Sequence, residues 1–126
     1  MADNADIVRR GYEAFSSGDM AALKSLFAPD AVWHAGGQNR LAGDYKGVDD
    51  ILGYFGSLMQ ATGGSLRVGT PELFASGDTV VAISENQAGD DYQARGVNVF
   101  TVKGGRVTDV WTAAEDQLGI DQIIGQ

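Results

Sequence analysis

The hydrophobic pattern of this chain changes its period at Gly63-Gly64, and that change constrains the fold more than any other feature. Before these glycines, apolar residues recur at helical spacing; after them, short apolar runs are separated by turn signals. The sharpest signal is Lys103-Gly104-Gly105-Arg106, whose two central glycines can adopt the positive φ that a tight hairpin requires. Helices followed by a meander of strands predict one α+β domain over residues 1–126.

The first half of the chain predicts three helices and one strand. Asp19 is a suitable N-cap for the second helix, and Pro29 is expected to end it. Acidic residues after Val48 favour the positive end of the third helix. In order, the predicted elements are a helix over 6–16, a helix from 19 to the proline, a strand over 31–35, a polar loop over 36–47 and a helix from 48 or 49 to 63.

The second half predicts four antiparallel strands. Ser76-Gly77-Asp78 and Ala88-Gly89-Asp90-Asp91 supply turns between the first three strands, and the diglycine hairpin precedes the last. The tail carries isoleucines and one leucine at spacing that predicts a last helical turn or two. The strands are predicted over 66–74, 79–86, 94–102 and 107–113, and the tail helix within 115–124.

Composition argues against several classes of partner. Seventeen acidic and nine basic residues give a net charge of −8, which opposes binding to nucleic acid. Because there is no cysteine, only one histidine and no dense carboxylate cluster, neither a metal site nor another cofactor is predicted. No apolar run approaches the roughly 18 to 20 residues of a membrane span, and the acidic N-terminal segment is unlike a secretory signal. We therefore expect a cytoplasmic protein that does not bind membranes.

The order of predicted elements resembles the nuclear transport factor two-like superfamily, in its SnoaL-like and ketosteroid isomerase-like branch. The resemblance covers nearly the whole chain. It rests on the segments Tyr12-Glu13-Ala14-Phe15, Leu26 to His34, Gly43-Asp44-Tyr45-Lys46-Gly47 and Gly104 to Trp111. It implies a cystatin-like α+β barrel, in which a curved antiparallel sheet wraps three helices and leaves a cone-shaped pocket. It also implies a homodimer formed through the outer face of the sheet.

His34, the only histidine, is the first candidate for catalysis. An imidazole titrates near neutral pH and could transfer a proton in the pocket, and the resemblance places a histidine of SnoaL-like cyclases at this position. The alternative is a histidine at the rim, hydrogen-bonded to the loop at Gln38 and Asn39. Strand alternation puts Trp33 and Ala35 on one face and His34 on the other, so both could face inward only at a bulge.

The resemblance also reveals two missing carboxylates. The base of the ketosteroid isomerases would fall at Ala35, and the aspartate of many SnoaL-like cyclases would fall at Thr112. Asn98 lines up with a donor of the isomerase oxyanion hole and is predicted to stabilise a developing oxyanion. Tyr12 misses the tyrosine donor by one residue and is interpreted as a core aromatic.

Seven further residues are predicted to bind substrate, although core packing is the ordinary role of the aromatic ones. Glu85 could point into the cone or be solvated, and Asp44 could cover the mouth or form a surface ion pair. The set is Trp33, Tyr54, Phe55, Glu85, Phe100, Thr112 and Asp44.

Two hypotheses about function follow from these residues. The first is a cofactor-independent isomerase, cyclase or dehydratase that acts on a small apolar carbonyl compound. The second is a non-catalytic ligand-binding or assembly domain of the same fold.

Overall fold

A computed structural model describes residues 3–126; the first two residues of the predicted domain lie outside this range. Within it, no helix is long and apolar enough to cross a membrane. The helices are α1 (Asn4–Ser17), α2 (Met20–Leu26), α3 (Val48–Ala61) and α4 (Gln117–Ile124). The strands are β1 (Phe27–Ala35), β2 (Gly43–Lys46), β3 (Arg67–Val68), β4 (Glu72–Ser76), β5 (Thr79–Ala88), β6 (Tyr92–Lys103) and β7 (Arg106–Ala114).

Local sequence signals fix the ends of the first two helices. The Asp3 side chain accepts a hydrogen bond from the Asp6 N–H and caps α1, which ends at Gly18 with a φ of 74°. Asp19 caps α2 in the same way by accepting from the Ala22 N–H. The predicted diglycine hairpin is confirmed, because Lys103 pairs with Arg106 across the turn between β6 and β7. The Asp19 cap and the hairpin lie where the sequence predicts them, whereas α1 begins at Asn4, two residues before its predicted start.

The strands form one curved sheet in the order β2-β1-β7-β6-β5-β3, and β4 pairs with the other end of β5. All pairs are antiparallel except β1 and β7, which run parallel. The predicted α+β class is confirmed. The predicted barrel is an open one, since β2 and β3 end the strand path without pairing with each other in the described chain.

Three strand predictions need correction. β1 begins at Phe27, because Pro29 lies in a pairing irregularity between Phe27 and Val32, where its missing N–H interrupts no ladder bond. The predicted loop over 36–47 contains β2, whose partner is β1. The predicted strand over 66–74 is split into β3 and β4 around Gly69, whose N–H donates to the Glu85 carbonyl at 2.8 Å.

Trp33 lies at the centre of the aromatic core. Its side chain packs edge-on against Phe55 at a centroid distance of 5.0 Å and against Phe100 at 6.3 Å. Tyr54 of α3 and Phe27 of β1 contact the same indole. Because these rings come from α3, β1 and β6, they hold the helices against the concave face of the sheet.

Two glycine substitutions test how closely the chain at the end of β1 approaches β7. A Cβ at Gly36 would lie 2.8 Å from the Thr112 carbonyl oxygen, whereas a Cβ at exposed Gly53 in α3 would meet nothing within 4 Å. We expect Gly36→Ala to lower the free energy of unfolding by about 1–3 kcal/mol. The control Gly53→Ala should raise it by about 0.5–1 kcal/mol, because alanine favours a helix. Urea denaturation measures both, and equal effects of the two variants would contradict the close approach of β1 and β7.

Candidate functional site

A cavity of about 190 Å³ lies between the concave face of the sheet and the helices. Its walls are mainly aliphatic and aromatic side chains. Within residues 3–126, no aspartate, glutamate, histidine, lysine or arginine lines it. Its polar groups are neutral amides, hydroxyls and one indole, and they gather at a few points of the wall.

The first polar point is formed by α1, β5 and β6. The Asn98 amide donates a hydrogen bond from Nδ2 to Tyr12 Oη at 2.8 Å, and Ser84 Oγ donates to Asn86 Oδ1 at 2.8 Å. Gly96 makes room for this group, because a Cβ there would collide with the Asn86 amide. Burial raises the pKa of Tyr12 to about 12, although hydrogen bonding to Asn98 and Ser84 opposes the rise. The phenol is therefore protonated at neutral pH and can donate a hydrogen bond.

The second polar point pairs Trp33 with Tyr54, whose rings lie 5.9 Å apart. Trp33 Nε1 is buried and makes no hydrogen bond of ordinary geometry among residues 3–126. Burial and nearby Tyr45 raise the pKa of Tyr54, and weak hydrogen bonding from the Trp33 indole partly opposes them. The Tyr45 hydroxyl has no proton to donate to a ligand, because it donates to the Leu41 carbonyl at 2.6 Å.

His34 does not lie in this cavity, so the prediction that it lines the pocket is wrong. The residues Trp33, His34 and Ala35 pair without a break with both β2 and β7, and no bulge turns His34 inward. Alternation therefore places Trp33 and Ala35 on the cavity wall and His34 on the outer face. The expected alternative, a bond from His34 to Gln38 or Asn39, is wrong as well.

On the outer face, His34 is held by two carboxylates and one aromatic ring. Nδ1 lies 2.7 Å from Asp44 Oδ1, Nε2 lies 3.0 Å from Asp109 Oδ1, and the imidazole stacks on Trp111 at 3.9 Å. Partial burial would lower the pKa of His34, but the bonds to Asp44 and Asp109 outweigh it and leave the pKa raised above 6.5. This arrangement favours a charged imidazolium that stays in place.

The other predicted site residues also divide into those that line the cavity and those that lie outside it. Glu85 and Asp44 lie outside the cavity; Glu85 is exposed on β5, and Asp44 is bonded to His34. Six predicted residues line the cavity, although their roles in binding stay predictions: Trp33, Tyr54, Phe55, Asn98, Phe100 and Thr112.

Tyr12 is the residue whose importance sequence reasoning missed. It was interpreted as a core aromatic because it is displaced by one residue from the family's tyrosine donor. In the structure its ring packs on Phe100 at 6.1 Å, and its hydroxyl reaches Asn98. A tyrosine on the buried face of a helix requires a partner for its hydroxyl, and that requirement was the available signal.

Asp121 ties α4 to the loop that follows β1, beside the cavity. Its carboxylate accepts hydrogen bonds from the Asn39 amide at 2.7 Å, the Gln38 N–H at 3.0 Å and the Gln117 amide at 3.0 Å. Burial would raise the pKa of Asp121, but these three donors lower it below its ordinary value. Since Asn39 and Gln117 also line the cavity, this carboxylate holds part of the wall while remaining outside it.

Comparison with known proteins places the chain in a family. The model of the SnoaL-like domain matches residues 8–110, and the chain belongs to this family. An uncharacterized protein of Mycobacterium tuberculosis strain H37Rv is 34% identical over 114 residues, which cover 86% of this chain and 87% of that protein. The resemblance inferred from the sequence motifs is thereby confirmed.

Two solved structures share the fold closely. Bal32a, from a soil-derived mobile gene cassette, is 39% identical with a TM-score of 0.89, and the match covers 95% of each chain. A putative polyketide cyclase from Sinorhizobium meliloti is 27% identical with a TM-score of 0.74, covering 86% of this chain and 94% of that one.

A proton NMR titration of the single histidine tests the outer-face position of His34. We expect a pKa above 6.5 that does not change when a ligand fills the cavity, and Asp109→Asn should lower it. A folded pKa above the unfolded one means that the charged contacts stabilise the fold fully below about pH 6.5 and are lost as the pH rises through the folded value. A pKa at or below 6.5, or one that moves on ligand binding, would contradict this position.

Proposed function

We propose that this protein binds an uncharged, mostly apolar small molecule in its central cavity and does not transfer a proton to or from it. The observation that carries the proposal is the neutrality of the wall over residues 3–126. An ionised ligand would lose its hydration there without meeting an opposite charge, which is strongly unfavourable. Selection for a neutral ligand follows from this cost.

Tyr12 and Asn98 give this ligand a point of attachment. Because Tyr12 Oη accepts from Asn98, its own hydroxyl proton can be donated to a ligand oxygen in place of Ser84, the other hydrogen-bonding neighbour of this phenol. A tyrosine hydroxyl is protonated at neutral pH, and burial raises the pKa of Tyr12 further, to about 12. A carbonyl, ether or hydroxyl oxygen is therefore the polar group that this point would recognise.

The size of the cavity limits the rest of the ligand. A cavity of about 150 Å³ lined by apolar side chains can hold benzene, and this one measures about 190 Å³. Aromatic side chains from α3, β1 and β6 surround the space. One ring, or two fused rings, is the scale of ligand that fits.

Catalysis by proton transfer, the first hypothesis from the sequence, is less well supported. Such a reaction needs a general base within hydrogen-bond reach of the substrate. His34 and Asp44 are bonded to each other on the outer face, and Glu85 lies outside the cavity too. The Sinorhizobium meliloti relative, named as a putative polyketide cyclase, supports a small organic molecule as occupant but supplies no base here.

Calorimetry with indanone, indane and indane carboxylate tests the proposal. Tyr12→Phe should weaken the binding of indanone about two- to tenfold, the effect of one hydrogen bond, and leave the binding of indane unchanged. Tyr45→Phe is the matched control, because its hydroxyl bonds to Leu41 and the residue does not line the cavity. The proposal fails if neither neutral compound binds, or if the carboxylate binds more tightly than the ketone.

We infer that the outer face of the sheet carries a second copy of the chain. His34, Trp111, Val99, Val81 and Phe74 pair in register across five strands and form what we call the outer row. Trp111 and Phe74 in this row are 59% and 54% exposed. Apolar association of this row would offset repulsion between two chains of charge −8, and the family resemblance favours the same face.

Analytical ultracentrifugation tests this homodimer. Trp111→Glu should weaken dimerisation by at least about tenfold, because it places a charge in the apolar row. Leu118→Glu is the control, since Leu118 is 69% exposed but lies on α4, away from the outer row. A monomeric wild-type protein at micromolar concentration, or equal effects of the two variants, would contradict the proposed interface.

A further inference from the structure

We propose that the cavity holds its ligand at two polar points, Tyr12 with Asn98 and Trp33 with Tyr54, and that the ligand is a neutral ring compound carrying oxygen at two positions. This inference rests on the proposed function, because it names the class of ligand for the same cavity. It adds a second attachment point, at Trp33 and Tyr54, to the point at Asn98 that resembles the oxyanion hole of the ketosteroid isomerases.

The indole of Trp33 brings a buried hydrogen-bond donor to the cavity wall. The residue is only 8% exposed and lines the cavity, and within residues 3–126 its Nε1 makes no hydrogen bond of ordinary geometry, only a weak contact with the Tyr54 hydroxyl. An unpaired buried donor is unfavourable, and native proteins rarely leave one without a reason. An indole N–H can only donate, so the group that would relieve it is an acceptor.

Tyr54 places a second polar group beside this indole. Tyr54 is 7% exposed, lines the cavity and packs against both Trp33 and Tyr45. The Tyr45 hydroxyl donates to the Leu41 carbonyl and makes no hydrogen bond to the indole. A ligand oxygen could accept from the indole and also exchange a hydrogen bond with the Tyr54 hydroxyl after a small rearrangement of the two rings.

An apolar ring separates the two polar points. Phe100 packs edge-on against Tyr12 at a centroid distance of 6.1 Å and edge-on against Trp33 at 6.3 Å. Asn98 lies on β6 and Trp33 on β1, with β7 between them in the sheet. The wall therefore runs from polar to apolar and back to polar, which matches a ring with an oxygen substituent towards each end.

Paired probes that differ in one oxygen atom test the second point. Para-methoxyphenol and para-ethylphenol have nearly the same shape, but only the first carries two oxygens; methoxynaphthol and ethylnaphthol extend the comparison to two rings. Calorimetry on wild type, Tyr12→Phe and Trp33→Phe would measure each affinity. For at least one pair, we expect the affinity of the methoxy compound to fall about threefold or more in both variants. The affinity of its ethyl partner should fall in only one of them.

A measurement on the unaltered cavity guards against misfolding of Trp33→Phe. The chain has two tryptophans, so Trp111→Phe identifies the Trp33 indole N–H in a proton NMR spectrum. We expect that resonance to move downfield with the methoxy compound and much less with the ethyl compound. Tyr54→Phe, which removes only a hydroxyl, provides a second variant for the affinity comparison.

The outcomes separate this inference from the proposed function. If the phenols bind wild type but both members of each pair respond alike to Trp33→Phe and to the indole measurement, the second point is wrong and the binding function stands. If none of the four compounds binds, the proposed function and this inference are both overturned.

Discussion

The continuous pairing of β1 with β2 on one side and β7 on the other is the constraint on which the rest of the site depends. Side chains of a regularly paired strand alternate between faces. Trp33 and Ala35 are therefore committed to the cavity, and His34 to the outer face. A single bulge would have exchanged these roles and placed an imidazole among the aromatic rings. The chemistry available to the cavity is decided by strand register.

As a consequence, the charged side chains of this site lie on the outer face of the sheet, and neutral ones line the cavity. The outer face holds the His34 imidazole between Asp44 and Asp109, whose two carboxylates outweigh its partial burial and make ionisation favourable. The cavity holds hydroxyl, amide and indole groups whose hydrogen bonds require no ionisation. Both phenols, Tyr12 and Tyr54, are neutral at physiological pH, and burial raises the pKa of each still further. A cavity whose described wall carries no charged side chain on one face, and a surface of carboxylates and aromatic rings on the other, follow from the same strands.

Much of the fold could be predicted from the sequence because its signals are local. The aspartate caps, the diglycine hairpin and the helical spacing each act within a few residues. The parallel pairing of β1 with β7 joins residues far apart in the chain, such as His34 and Trp111, and β2 is only four residues long, so local spacing encodes neither. The site shows the same division, because the bond between Tyr12 and Asn98 joins residues 86 positions apart. Alternation and the family resemblance favour opposite faces for His34 once Trp33 lines the cavity, and the structure agrees with alternation.

We expect the cavity to bind a neutral ligand without a group that transfers protons. Deuterium exchange at the α-carbon of indanone, followed by proton NMR in D₂O at neutral pD with enough protein to bind most of the ketone, measures such transfer. Exchange should be no faster with the protein than in buffer alone. Acceleration that saturates with protein concentration and is lost in Tyr12→Phe would show proton transfer in the cavity and would refute binding without catalysis.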